Sequence, residues 1–395
     1  MSIKANLEDF TIKVANKDQE KQHALAGYDN WQKGEPFEEY RKVSIRERTE
    51  AKWGKEAFVT WVLVRKDDPN GEIYSGCETY RRQGFIKRKG TTDIEPGFVY
   101  CIASVVTPKA HGRNGYATRF LSLLHRHLSP ESTLPPIPAS WGEDQPSIPL
   151  PAQAAEQIPK AIGSYLWSDV GSSFYSKCSI GEGRPGWVVD DAQCSELVWK
   201  ILPPATVEGS FSWIHLQDLE DVGSLISARL QSNLRQTDTS QNAVFITDPA
   251  SPGVLDSVPV KGSWKRPTPE PLPVGIRIPS SSGKKEDDAI VLFAVSCISI
   301  SDKFLITHIS NLSPYQLPLL LSAIDSLASS STLCPAEGWA WDLGLSGELV
   351  DAWKKQAERE VRVRRREEIG GHLLGVAWYG DDEGKLGNGE IWSWA

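Results

Sequence analysis

An α+β chain made of two successive sheet-bearing units is what the sequence predicts. Three features predict it. Runs rich in β-branched and aromatic residues are joined by short turns, as in antiparallel hairpins, and are interspersed with helical stretches. A strand, a glycine loop and an amphipathic helix follow one another directly between Val99 and Leu128. After Pro203 the order strand, helix, short aromatic strand, helix comes again. At about 100–200 residues per domain, 395 residues fit two domains. Pro203–Thr206 is the expected boundary, dividing the chain into 1–202 and 203–395.

Composition narrows the classes of function. Hydrophobic residues make up 40% of the chain and charged residues 24%, with 15 Trp, as in a folded protein with a sizeable core. Fifty-one acidic against 43 basic residues leave a net charge of −8, the wrong sign for affinity built on phosphate neutralisation. A nucleic-acid partner is therefore not expected. Cys77, Cys101, Cys178, Cys194, Cys297 and Cys334 form no CxxC pair and no metal-ligand spacing, so no metal is expected and a reduced, cytoplasmic compartment is. The N-terminus lacks the 7–15-residue apolar core of a signal peptide. The longest apolar run, Ala289–Ile300, is too short for a bilayer, which needs about 20 residues, and reads as a buried strand. No membrane partner is expected either.

The first unit reads in order as a strand at Asp9–Ala15, a helix from Asp18 towards Trp31 and a helix over Pro36–Trp53, with Pro36 in the first turn where a missing N–H is harmless. Ala57–Arg65 and Glu72–Tyr80 flank the turn DDPNG as a hairpin. Val99–Thr107 is a central strand, and Tyr116–Leu128 a helix with Ala117, Phe120, Leu121, Leu124 and Leu128 on one face. Pro130–Pro159 is a long proline-rich loop, Gly163–Ser168 a strand, the segment SSFYSKC a short helix and Glu196–Leu202 a last strand. The second unit is expected as a helix at Leu216–Leu234, a strand at Ala243–Asp248, a linker over Pro249–Glu286, a hairpin of Ala289–Ile300 with Phe304–Ser310, a helix at Pro318–Ser329 and a helix at Gly347–Glu368. The basic run Val361–Glu367 alternates with acids and is expected to be a solvated helix face.

The loop KAHGRNG carries the chemistry. A glycine turn between a strand and a helix start presents unpaired backbone N–H groups at one point, with the helix dipole behind them, and such a turn binds phosphate. Its spacing is neither GxxxxGK[ST] nor GxGxxG.

The segment VVTPKAHGRNGYATRFLSLLHRHL resembles the GNAT superfamily of N-acetyltransferases, whose Arg/Gln-x-x-Gly-x-Gly/Ala motif cradles the pyrophosphate of acetyl-CoA. Gly115 and Ala117 match its last two fixed positions, whereas Gly112 replaces the Arg or Gln, with Arg113 displaced by one. With CETYRR, YCIASVVTP, ASWGED, LWSDVGSSFY and a downstream GW, the chain is also similar to the fungal lysine N-acetyltransferases, in which a GNAT-like domain precedes a family-specific C-terminal one. The resemblance implies a GNAT fold, a mixed and mostly antiparallel sheet flanked by helices, followed by a degenerate GNAT-like α/β domain without a CoA loop. It implies that acetyl-CoA contacts Gly112, Arg113, Asn114, Gly115, Tyr116, Ala117 and Thr118, and the main chain at Ser104 and Val106.

The implied activity is direct acetyl transfer to a small-molecule amine, foremost the side chain of free lysine or a related amino acid or diamine. Two alternatives stay open: an acyltransferase of a fungal biosynthetic pathway using another amine or acyl-CoA, and a CoA-binding protein that has lost catalysis. An ammonium must lose a proton before it attacks a thioester, and the departing thiolate is helped by a nearby acid. Tyr175 matches the superfamily's acid, and otherwise anchors a short helix. No residue on the strand 99–107 is an obvious base, which leaves Glu78 and Asp169 as the nearest carboxylates of the motif set. His125 and His127 point to different helix faces and His111 lies in the loop, so all three are expected to be ordinary surface or loop histidines.

Overall fold

The structure is a computed structural model that describes residues 6–32, 34–141, 158–206, 208–295, 303–341 and 345–394. Two sheets organise the chain. The first runs β1 (Phe10–Val14), β2 (Phe58–Arg65), β3 (Ser75–Lys87), β4 (Glu95–Val106), β5 (Gly163–Ser168), then β15 (Leu373–Trp378) and β6 (Val188–Val189). The second runs β8 (Ser212–Ile214), β10 (Gly275–Ile278), β11 (Ala289–Ala294), β12 (Lys303–Ser310), β13 (Glu337–Trp341), then β7 (Ser195–Lys200) and β14 (Arg362–Arg365). Position by position the two orders are the same, and each has a parallel pair at its centre, β4 with β5 and β12 with β13. The α+β class and the repeated unit expected from the sequence are therefore present.

The sheets do not divide the chain at residue 202. β7 precedes that point yet hydrogen-bonds between β13 and β14 of the second sheet, and β15, from the far end of the chain, lies between β5 and β6 of the first. Each unit thus receives its penultimate strand from the other half. β9 (Ala243–Thr247) likewise joins the first sheet, pairing antiparallel with the end of β3 and parallel with β16 (Gly384–Leu386). A shared core follows from this exchange: Trp53, Tyr80, Tyr165 and Trp167 of the first unit pack in one cluster with Val258, Leu305 and Trp341 of the second.

Local chemistry explains the elements around the first sheet. α1 (Lys17–Trp31) starts in a capping box, Asn16 accepting from the Gln19 N–H and Gln19 accepting in return. α2 (Phe37–Thr49) begins directly after Pro36. α3 spans Tyr116–Leu128 and buries Tyr116, Phe120, Leu121, Leu124 and Leu128 against the sheet, each apolar side chain contributing roughly 1.5–3 kcal/mol. In the second unit the helices are α4 (Leu219–Gln236), α5 (Ser257–Lys265), α6 (Leu317–Ser330) and α7 (Gly347–Lys354).

Several expectations are corrected. The linker Pro249–Glu286 contains α5 and β10. The helix expected over Gly347–Glu368 stops at Lys354, and the basic run becomes the edge strand β14, whose Arg362, Arg364 and Arg365 pair with Glu337, Glu196 and Asp191. SSFYSKC forms a single 3₁₀ turn at Tyr175–Lys177. His125 is fully buried, its Nδ1 2.9 Å from the Tyr379 hydroxyl and its ring on Trp187. Burial holds its imidazole neutral, lowering its pKa to about 3. Within the proline-rich loop, residues 142–157 lie outside the described residues, as does the end of the expected strand Ala289–Ile300. Among the described residues no helix is long and apolar enough to cross a membrane.

Candidate functional site

The parallel pairing of β4 and β5 ends at Ile102 and Leu166, and beyond it the two strands part. The cause lies in β4. Between the pairs Glu78–Ala103 and Gly76–Val106, Ser104 and Val105 together face the single residue Cys77, which makes a β-bulge. Ser104 takes the left-handed conformation there, at φ 51°, which costs a non-glycine residue on the order of 1–3 kcal/mol. Two hydrogen bonds hold it: its hydroxyl donates to Glu78 Oε2 at 2.6 Å, and His23 Nε2 on α1 donates to its carbonyl at 3.0 Å. Val106, buried, is fixed separately by the Ser75 hydroxyl, which donates to its carbonyl at 3.1 Å.

At the head of α3 the loop is built from special backbone. Arg113 has φ 66° and is exposed, and Gly115, at φ 84°, caps the helix with no side-chain hydrogen bond to the first turn. The first N–H groups of the helix, at Tyr116, Ala117 and Thr118, are therefore left without a side-chain cap. Gly112 is exposed. The Asn114 amide folds back onto the carbonyls of His111 and Gly112, at 3.1 and 3.3 Å, while His111 stacks on Tyr74 and lies 2.9 Å from Glu72. The Tyr116 side chain is core, packed on Phe10 and Tyr74, so only its main chain can serve a ligand. A left-handed Gly115 ahead of an uncapped helix start is a backbone arrangement that suits a phosphate, and any other residue there would have to hold φ near 84° with its Cβ 3.3 Å from Leu7 Cδ1.

Glu78 and Tyr175 occupy opposite faces of the sheet. Cys77 and Glu78 alternate across β3, and Tyr175 packs on the cluster that holds Cys77, Cys178 and α3. The Tyr175 hydroxyl has no hydrogen-bond partner among the described residues. Burial first, then Cys178, Asp169 and Cys77, raises its pKa well above the usual phenol value, so it keeps its proton. On the other face Glu78 is buried at the base of a cavity of about 50 Å³ lined by Glu20, His23, Arg41, Ser44, Arg48 and itself among others. Burial, then the neighbouring Glu47, raises its carboxyl pKa, while Ser104, Arg48 and Lys261 oppose the rise. His23 is lowered by burial to about 4 and is neutral. Arg48 pairs with Glu20 and donates to Thr60 Oγ1 at 2.7 Å.

Asp169 follows the last residue of β5, but its carboxylate is engaged by His372 Nδ1 at 2.6 Å, a contact that ties β5 to the approach of β15. Of the three candidate acid–base residues, two flank the opening and the third binds a neighbouring strand. Sequence reasoning missed His23, Arg48 and Lys261. A buried face of Gln19, His23, Ala26 and Gly27 on α1 is the only local sign of the first, and the others lie on helices remote in sequence from β3. Among the described residues no three His, Cys, Asp or Glu side chains are grouped to hold a metal.

No family model matches the sequence, and no curated protein matches it significantly. Solved structures do. A conserved protein of unknown function from Enterococcus faecalis, a "probable N-acyltransferase", is 10% identical over 94% of this chain and 73% of its own, with a TM-score of 0.51. A GCN5-related N-acetyltransferase from Kribbella flavida is 10% identical over 94% and 72%, with a TM-score of 0.49. At such identities the likeness is one of fold alone, and it spans 94% of this chain, both sheet units included.

Proposed function

We propose that the protein is an acetyl-CoA-dependent N-acetyltransferase acting by direct transfer on the amine of a small molecule, foremost the side chain of lysine or a related amino acid or diamine. The observation that carries this is the opening between β4 and β5, with an uncapped helix start beside it and a buried carboxylate and a half-buried phenol on its two faces. When bound, acetyl-CoA supplies an activated acyl thioester. The main chain at Gly112–Thr118 would hold its pyrophosphate, with Arg113 as the nearest exposed cation of the loop, and the parted edge of β4 at Ser104–Val106 would take its pantetheine arm.

Glu78 is the proton acceptor. A carboxyl with a raised pKa is a stronger base than an ordinary glutamate and better matched to an ammonium. Ser104 orients it, and neutral His23 fixes Ser104. Tyr175 Oη holds a proton on the opposite face, where a leaving thiolate needs one. Asp169, engaged by His372, is given a positioning role between strands. A cavity of about 50 Å³ takes little more than a water-sized group, so it suits the terminal amine of a substrate rather than a whole amino acid. Arg41 at its rim is the complement for a carboxylate at the other end of lysine, and the motif resemblance to fungal lysine N-acetyltransferases favours the same substrate. The first 202 residues would carry CoA, and the second half would close the amine side.

Free-thiol release from acetyl-CoA tests this with lysine, diamines and a histone peptide. Release is expected with lysine or a diamine and not with the peptide, whereas tight CoA binding without release on any amine would make the chain a binding module. Glu78→Gln should lower turnover by roughly 10²–10⁴. The pH sign is definite: Glu78 works when ionised, so wild-type turnover should fall as pH drops through its raised pKa. Stability runs the other way. A carboxyl whose folded pKa exceeds its unfolded value stabilises the fold below the unfolded value and loses that contribution as pH rises, so at neutral pH Glu78→Gln should melt no lower than wild type.

A further inference from the structure

A second carboxylate meets the face of β3 that carries Glu78, through Tyr80 two residues further along the strand. Glu47, near the end of α2, is buried and held from three sides. The Trp53 indole donates to Oε1 at 3.0 Å, the Tyr80 hydroxyl donates to Oε2 at 3.3 Å, and Lys261 Nζ lies 3.0 Å from Oε1. Lys261 comes from α5, in the second half of the chain. Its side chain is only 13% exposed and that of Glu47 5%, so the ion pair sits in the contact between the two halves. One turn further along α5, Lys265 pairs with Glu35 in the same contact.

Two carboxylates sharing a buried site resist ionising together, and one is driven to keep its proton unless a cation compensates. The other groups facing Glu78 leave few candidates for that cation. From α1 come Glu20 and the neutral His23, and from α2 come Arg48, already paired with Glu20, together with Arg41 and Tyr40. On β3 Tyr80 shares the face of Glu78 and Cys77 lies on the opposite one, both held neutral by burial, and β4 adds the Ser104 hydroxyl. Lys261 is the cation that reaches this group from the second half, and it is bound to the very carboxylate that competes with Glu78.

We propose that Lys261 is a positioning residue for the proton acceptor: by pairing with Glu47 it keeps that neighbour's charge compensated and so holds Glu78 in its proton-accepting state near neutral pH. The second half thereby sets the working pH of a site otherwise built by the first. This rests on Glu78 being the acceptor, and the test separates the two claims.

The Glu78 carboxyl can be titrated by ¹³C NMR on the full chain with labelled glutamate, its signal assigned by its loss in Glu78→Gln. Lys261→Met should move the midpoint up by about one pH unit, Lys261→Arg should restore it, and Glu47→Gln, which removes the competing charge but keeps the cation, should move it down. The acid limb of the thiol-release profile should follow each shift. A midpoint unmoved in Lys261→Met, or in Glu47→Gln should the first variant not fold, overturns the role of Lys261. Shifted midpoints combined with full turnover in Glu78→Gln would instead leave the Lys261 coupling standing and remove Glu78 from the chemistry.

Discussion

The two sheet units have the same strand order and the same central parallel pair, four residues long in each, and both have a bulge in the strand that leads to the opening. In the first the bulge falls at Ser104 and Val105, in the second at Thr307. They differ in what surrounds it. After β4 come a glycine loop, a left-handed Gly115 and an uncapped helix. After β12 comes NLSPYQLP, in which Pro314 and Pro318 offer no N–H, and Tyr315 is 95% exposed. Beside the second bulge His308 Nδ1 lies 2.8 Å from Glu390 Oε1, and the Trp392 indole donates to Oε2 at 2.9 Å, so residues from the end of the chain occupy that side of the sheet. A bulge and a parted strand pair make a scaffold, and the loop chemistry decides whether it can hold a phosphate.

The comparison breaks most sharply at Gly115. Valine there must adopt φ near 84° and place its Cβ 3.3 Å from Leu7 Cδ1, so the cradle should close and CoA binding should be lost. Calorimetry on wild type should give one CoA per chain. Two sites, or an unchanged affinity in a folded Gly115→Val protein, would erase the distinction between the units.

A smaller effect is expected at Tyr175, whose hydroxyl makes no hydrogen bond among the described residues. Phenylalanine keeps the edge contacts with Phe174 and Trp187, so the melting temperature should hold while turnover falls by roughly 10²–10⁴. Steady-state thiol release at saturating amine measures it, and wild-type turnover would reduce Tyr175 to an anchor.

Legibility in the sequence followed the range of the interactions. α3 and β5 are found at their expected bounds because one face periodicity and one apolar run define each locally. The exchange of β7 and β15 was not legible, since alternation marks a strand without naming its neighbour. VRVRR alternates as a strand does, but charge repeats on a helix face look much the same, and its partner Glu196 lies far away in sequence. α5 escaped notice because Pro259 and Gly262 interrupt it, both poor residues for a helix. At the site, Glu78 could be singled out on motif grounds, whereas Glu47 and Lys261 acquire meaning only where α2 and α5 meet. His125 was misplaced because i,i+2 spacing separates it from His127 without saying which of them faces the core.

The smallest effect on function is expected at Glu390, and it sharpens the comparison from the other side. Like Glu78, Glu390 is a buried carboxylate beside a bulged strand, but both its oxygens are already bonded, one to His308 and one to Trp392. Glutamine preserves its shape but withdraws the charge from two buried hydrogen bonds, and bonds to charged groups are worth about 1.5–3 kcal/mol each at most. Denaturant unfolding should therefore register a loss of stability in Glu390→Gln of about that size. CoA affinity and turnover should stay within about twofold of wild type, since neither the loop at 112–118 nor the Glu78 pocket touches this pair. A fall in turnover without a fall in stability would mean that the second opening takes part in the chemistry and that the two units are not divided into one site and one scaffold.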